Sequence, residues 1–183
     1  MNFFISDTHF MHNKDFVYAA RGFKDIKEHD EAIIRNWNSV VTNKDTVFVL
    51  GDFALGQDTE TIAEYIDRLN GEYIYLIKGN HDTDNKWRFY KQETDIYCIG
   101  LAYSQKLGKN NIYMSHFPTF INDPSYKSLD KAVINLFGHT HSKDKFFSMG
   151  GVINPYMYNV ACDAHNCTPV SWEQIYDDIK KAL

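Results

Sequence analysis

The chain has no long apolar run, little proline and no excess of positive charge, and each shortage removes a class of protein. Its 183 residues include only four prolines, and its ten glycines are scattered along the length. No low-complexity tract, charge block or repeat marks a linker. A single domain over 1–183 is therefore expected, long enough for a substantial core. No apolar stretch approaches the ~20 residues of a membrane span, so no membrane partner is expected. The opening MNFFISDTHF lacks the basic start of a signal peptide. A formal net charge of −5 argues against tight electrostatic binding along extended duplex nucleic acid, while leaving room for a small phosphate ester or a nucleic-acid end. Three cysteines, Cys98, Cys162 and Cys167, are too few and odd in number for a disulfide framework, and point to a reducing, cytoplasmic setting. The segment Cys162-Asp-Ala-His165-Asn-Cys167 holds one Cys-x₄-Cys pair, short of the paired knuckles of a closed zinc site. It reads as a buried thiol at a strand end followed by an exit loop.

What the chain does have is five short β-forming runs that each end on a metal-ligand side chain, or on a glycine followed by one. They are FFIS-Asp7-Thr-His9, VFVL-Gly51-Asp52, YIYLIK-Gly79-Asn80-His81-Asp82, NIYMS-His116 and VINLF-Gly138-His139-Thr-His141. Residues two apart on a strand share a face, so Asp7 with His9, and His139 with His141, can converge on one point. Open α/β sheets place their ligand sites at the carboxyl ends of their strands. This pattern is that of a metal site.

Further strand-like runs lie near Tyr97 to Leu107, Lys145 to Met149 and Tyr156 to Ala161. Helical periodicity appears in 28–41, through Ile33, Ile34, Trp37, Val40 and Val41, and in 59–69, through Ile62, Ala63, Ile66 and Leu69, with Asp58 as N-cap. The C-terminus opens with the capping-box pattern Ser171-Trp-Glu-Gln174 and carries Trp172, Ile175, Ile179 and Ala182 on one face. Strands alternate with helices early and crowd together after about residue 97. That suggests two sheets face to face with helices outside, although the pattern also permits a single mixed sheet.

The order D-x-H, G-D, G-N-H-D, H, G-H-x-H, from Asp7 to His141, resembles the calcineurin-like metallophosphoesterase superfamily. The resemblance implies an αββα sandwich with a dimetal site at the C-terminal ends of the strands. Carried over residue by residue, it implies that Asp7, His9 and His141 hold one metal and Asn80, His116 and His139 the second, with Asp52 bridging. It also implies His81 as general acid, with Asp82 orienting it. Four imidazoles with oxygen donors and no thiolate suit Mn²⁺, Fe, Zn²⁺, Co²⁺ or Ni²⁺ better than Mg²⁺ or Ca²⁺, and Mn²⁺ is the first expectation. Missing is the Asp-Arg-Gly continuation of the second block found in the Ser/Thr protein phosphatases and their diadenosine-polyphosphatase relatives, since Gly51-Asp52 runs on into Phe-Ala-Leu-Gly.

The expected reaction is attack on phosphorus by a hydroxide generated between the metals. Two divalent cations bring four positive charges; Asp7, Asp52 and a bridging hydroxide remove three. The single positive charge left matches a phosphodiester monoanion, which favours small or nucleotide-type phosphodiesters. A phosphomonoesterase is the alternative if an outside cation contributes, and a non-catalytic metal-binding scaffold is the distant third. The segment Phe10 to Lys27 leaves the first strand beside the metal ligands. Within it His12, Asn13 and Arg21 are candidate substrate contacts, Arg21 through its planar fork. His29 reads as a solvated residue and His165 as a loop residue.

Overall fold

Ten strands divide into two five-stranded sheets in the computed structural model, which describes residues 1–121, 129 and 131–183. The first sheet contains β1 (Asn2–Ile5), β2 (Thr46–Val49), β3 (Tyr73–Ile77), β4 (Ile96–Gly100) and the short β10 (Val170–Ser171), in the order β10-β1-β2-β3-β4. Strands β1 to β4 are parallel, and β10 runs antiparallel to β1. The second sheet contains β5 (Ala102–Leu107), β6 (Asn110–Ser115), β7 (Val133–Phe137), β8 (Phe146–Met149) and β9 (Val152–Asn159), in the order β5-β6-β7-β9-β8. Its three central strands are parallel, and its two edges are antiparallel hairpin partners.

The run from Tyr97 to Leu107, legible as one strand, is two. Gly100 adopts a φ of +139°, a conformation that favours glycine, and the chain there leaves the first sheet as β4 and enters the second as β5. This break turns one possible mixed sheet into a sandwich.

Strand alternation then sorts the core. Phe3, Ile5, Val47, Val49, Ile74 and Leu76 point to one face of the first sheet, where they meet Ile33, Ile34 and Trp37 of α2 (Ile26–Val40), Ile62 and Ile66 of α3 (Thr59–Asp67), and Phe89 and Tyr90 of α4 (Asp84–Glu93). The alternate residues Phe4, Phe48, Leu50 and Ile77 meet Ile112, Met114, Ile134 and Leu136 of the second sheet. Helix α5 (Trp172–Ala182) adds Ile175 and Ile179 to that inter-sheet core beside Tyr158 and Val160. The helix starts obey the expected chemistry. The Asp58 carboxylate accepts from the Glu60 and Thr61 amides, and the Ser171 hydroxyl accepts from the Gln174 amide.

Helix α4 is not legible by periodicity, because Trp87, Phe89 and Tyr90 are its only large apolar residues. It forms because Thr83 caps its start and the first sheet buries Phe89 and Tyr90. Among the described residues no helix is long and apolar enough to cross a membrane.

Candidate metal centre

The ligand residues stand just beyond the strand ends, not on the strands. Strand β1 stops at Ile5, two residues before Asp7, and β7 stops at Phe137, two before His139. Asp7, His9, Asp52, His139 and His141 have φ of 57°, 51°, 53°, 67° and 50°. This left-handed backbone costs about 1–2 kcal/mol per non-glycine residue. Convergence therefore comes from a tightly turned loop edge rather than from simple strand alternation, and strain of this kind clusters at functional sites. Two glycines make the tightness affordable. A Cβ at Gly79 would overlap the Asp52 carboxylate, and one at Gly138 would overlap Ser6 and the Asp7 carboxylate.

All seven expected ligands come together. The His9 and His141 Nε2 atoms each lie 3.7 Å from Asp7 Oδ1. Asp52 Oδ2 is 3.8 Å from His9 Nε2 and 3.5 Å from His116 Nε2, so it stands between the two groups. Asn80 Oδ1 is 2.9 Å from His116 Nε2 and 3.0 Å from His139 Nδ1.

The donor chemistry fits divalent cations. Asp7 Oδ1 and His9 Nε2 are buried and have no hydrogen-bond partner within the protein, a costly arrangement unless a ligand satisfies them. The Nδ1–H of His116 is donated to the Leu50 carbonyl at 2.8 Å. With the proton used on Nδ1, Nε2 is the nitrogen left to offer a lone pair to a cation, beside the oxygens of Asn80 and Asp52. His141 likewise donates Nδ1–H to Asp163 Oδ2 at 2.9 Å and turns its Nε2 toward Asp7. Facing lone pairs repel unless a cation sits between them. Burial opposes ionisation of Asp7, but the neighbouring imidazoles of His9, His116 and His141 outweigh it and hold the carboxyl below its ordinary range. Burial lowers His9 and His139, favouring the neutral rings that metals require.

Residues 3–152 match the family model of the calcineurin-like phosphoesterases. The chain belongs to this family. It is a metal-dependent hydrolase of phosphoric esters, a class that works with a dimetal centre. The chain is 33% identical to an uncharacterized protein, MJ1445, of Methanocaldococcus jannaschii, over 98% of this chain and 91% of that protein. It is 28% identical to the gene 66 protein of Mycobacterium phage L5, over 95% of this chain and 91% of that protein. A solved structure of a protein of unknown function, AQ665 of Aquifex aeolicus, shares the fold with a TM-score of 0.68 at 23% identity, covering 100% of this chain and 99% of that one.

Around the ligands of this calcineurin-like phosphoesterase lies an outer layer that the motifs do not name. Its hub is Asp163. One oxygen accepts from His141 Nδ1, and both accept from Arg21, at 3.1 Å from Nε and 2.9 Å from Nη2. Burial works against this carboxylate, yet His141 and Arg21 hold it well below the usual carboxylate range. The signal that could have found Asp163 was present, since it follows the run ending at Ala161 just as the other acidic ligands follow theirs.

Arg21 corrects an expectation. Its side chain is 3% exposed, and its guanidinium donates to Asp163, to the Asp7 carbonyl at 2.8 Å, to the Thr8 carbonyl at 3.4 Å and to His29 Nε2 at 2.9 Å. These bonds use all five N–H groups and leave none for a substrate phosphate. His29, expected in solvent, is fully buried, and its Nδ1–H is donated to Asp30 at 2.8 Å. Asp82 also departs from its expected role. Its carboxylate accepts from the Gly79 and Asp52 amides at 2.8 Å and from the Phe53 amide at 3.2 Å. It ties two ligand loops together and makes no bond to the His81 ring.

His81 stands at the rim, 48% exposed, with Nε2 4.0 Å from Asp52 Oδ2. His12 lies beside it at the mouth, its Nδ1 3.0 Å from His9 Nδ1, and so also orients a ligand ring. Asn13 is exposed on the loop leading to α1 (Asp15–Tyr18). The buried His165 hydrogen-bonds the Asn159 carbonyl and stacks on Tyr158. The cysteines are free, with Cys162 and Cys167 buried.

Proposed function

We propose that the protein is a dinuclear phosphodiesterase acting on small or nucleotide-type diesters. In this reading Asp7, His9 and His141 hold one ion, Asn80, His116 and His139 the other, and Asp52 is shared. Mn²⁺ is the first choice among the transition metals that this oxygen and imidazole set suits. When bound, such a pair supplies the Lewis acidity that activates water and offsets phosphoryl charge.

The chain's own residues do the rest. Asp52 and Asp7 set the charge of the centre. His81, at the rim and beyond the ligand cluster, is placed to hand a proton to the leaving oxygen. Asp82 keeps the His81 loop in register with Asp52 through backbone bonds. Two exposed rings flank the mouth: Phe16, 74% exposed and edge-on to His12, and Phe117, 47% exposed and packed on His116 and His139. They suit an aromatic or nucleoside group on the ester.

The observation that carries the diester reading is the commitment of Arg21. A phosphate dianion needs a cation beyond the ions themselves, and the arginine nearest the ligand loops has no N–H to spare. The centre is then matched to a monoanion. The test is hydrolysis of bis-p-nitrophenyl phosphate beside p-nitrophenyl phosphate by chelator-stripped protein reloaded with Mn²⁺. Faster diester turnover is expected. Faster monoester turnover would overturn the diester reading in favour of a phosphomonoesterase. A protein that binds two ions and turns over neither would be acting as a scaffold. The proposed setting is the cytoplasm, with one domain spanning 1–183.

A further inference from the structure

The backbone of Asp52, the carboxylate that stands between the two ligand groups, is strained at a φ of 53°. A residue in that region persists only where its surroundings over-determine it. Three grips do so here, and all reach across from residues 81–86. The His81 amide donates to Asp52 Oδ1 at 2.8 Å, while Oδ2 faces His9 and His116. The Asp82 carboxylate accepts from the Asp52 and Phe53 amides. The third grip falls on the next residue of the loop, where Lys86 Nζ donates to the Ala54 carbonyl at 2.7 Å.

Lys86 is an unusual choice for that bond. It lies in the first turn of α4 and is only 9% exposed. Among the described residues the Ala54 carbonyl is its one side-chain hydrogen-bond partner, and no carboxylate comes within ion-pair distance of it. A buried ammonium with no carboxylate against it is costly, and a neutral donor would satisfy a lone carbonyl. Burial pushes Lys86 below the ordinary lysine range, and the charges of Asp82 and Asp52 work against that fall. Those two carboxylates are themselves buried and repel each other. A positive charge beside them, tied to the same loop, relieves the repulsion as it holds the backbone.

We infer that Lys86 is a positioning residue for Asp52: it holds the Ala54 carbonyl and so fixes the strained 52–54 loop that presents the shared ligand to both ions. Lys86 bonds to no ligand side chain and acts only through the loop. The inference rests on the reading of Asp52 as a ligand shared by two ions. Its reach sets it apart from Asp163, which bonds to one ligand of one half.

Lys86→Met keeps a long apolar stem and removes the ammonium. Mn²⁺ titrated into the chelator-stripped full chain should show both binding phases weakened, each about tenfold, as loss of an outer partner does. Lys91→Met, which removes an exposed lysine from the same helix, should leave both phases within about twofold, because exposed charges are screened. Hydrogen exchange of the metal-free proteins gives the second readout. The Asp52, Phe53 and His81 amides should exchange about tenfold faster in Lys86→Met, while those within α4 and β2 keep their wild-type rates, as in a local opening. Unchanged affinities overturn the inference, as does a shift confined to one ion. Loss of protection spread through α4, or a variant that fails to fold, would make Lys86 a core residue and overturn it equally. Neither readout uses turnover. A wild type that binds two ions and hydrolyses no diester would therefore sink the phosphodiesterase reading and leave this inference standing, whereas a wild type that binds one ion would remove the shared role and overturn it.

Discussion

The two halves of the metal centre are built differently. Around Asp7, His9 and His141 the protein supplies a second layer: His12 against His9, Asp163 against His141, and Arg21 bracing the Asp7 and Thr8 carbonyls while anchored to Asp163. Arg21 is itself backed by His29 and Asp30. Around Asn80, His116 and His139 there is far less. His116 is held by the Leu50 carbonyl, but Asn80 and His139 are exposed, and among the described residues the only ring bond of His139 is to Asn80. Outer partners fix the orientation of ligands and raise their basicity. The first half is therefore preorganised by the fold, whereas the second would depend on an ion to complete it.

The largest expected effect comes from His81, which belongs to neither half. His81→Ala should lower kcat by about 10²–10⁴, while metal analysis still finds two ions. Loss of an ion from the variant would make His81 part of the open half and break the comparison as drawn. Next, Asp163→Ala should weaken the first half's ion by about 10–100-fold. Titration of metal into the stripped variant would show the tighter phase lost and the weaker one unmoved. A variant with both phases shifted equally would show that the outer layer serves the whole centre.

Wild-type protein sharpens the same contrast. Stepwise chelation should release the two ions in separate phases about tenfold or more apart in affinity, and a single phase would contradict it. Gly79→Ala should force the Asn80 loop away from Asp52, costing about 1–3 kcal/mol in unfolding free energy and lowering the affinity of the open half more than that of the first. The smallest effect concerns pH. Burial, helped by the nearby His9 and His81, holds His12 of the metal-free protein down to about 4 from 6.5. Between those values the unfolded chain binds more protons than the folded one, so stability falls as the pH drops from 6.5 to 4. His12→Asn should flatten the loss over that window in unfolding curves collected without metal.

The positions of the strands and the identity of the converging residues were legible because each block pairs β-forming residues with ligand chemistry at a strand end. The end of β9 was legible in the same way, yet Asp163 was hidden by its neighbours. Flanked by Cys162 and His165, it drew attention as part of a thiol cluster rather than as a carboxylate on an exit loop. Arg21 shows the opposite failure. A guanidinium beside a phosphate site is an obvious substrate contact until the chain brings Asp163 to it from 142 residues away. No local pattern carries that information.

By itself the sequence determined where chemistry could occur: which strands form, which face of α2, α3 and α5 is buried, and which donors leave the strand ends. Those properties depend on neighbours within a few residues, through alternation, helical period and capping. Only the tertiary structure decided that Gly100 divides the strands between two sheets, that five ligands sit on left-handed backbone, and that Arg21 and Asp82 serve the framework. Each of these depends on contacts between residues distant in the chain, where packing and hydrogen-bond satisfaction choose among options that local preference leaves equal.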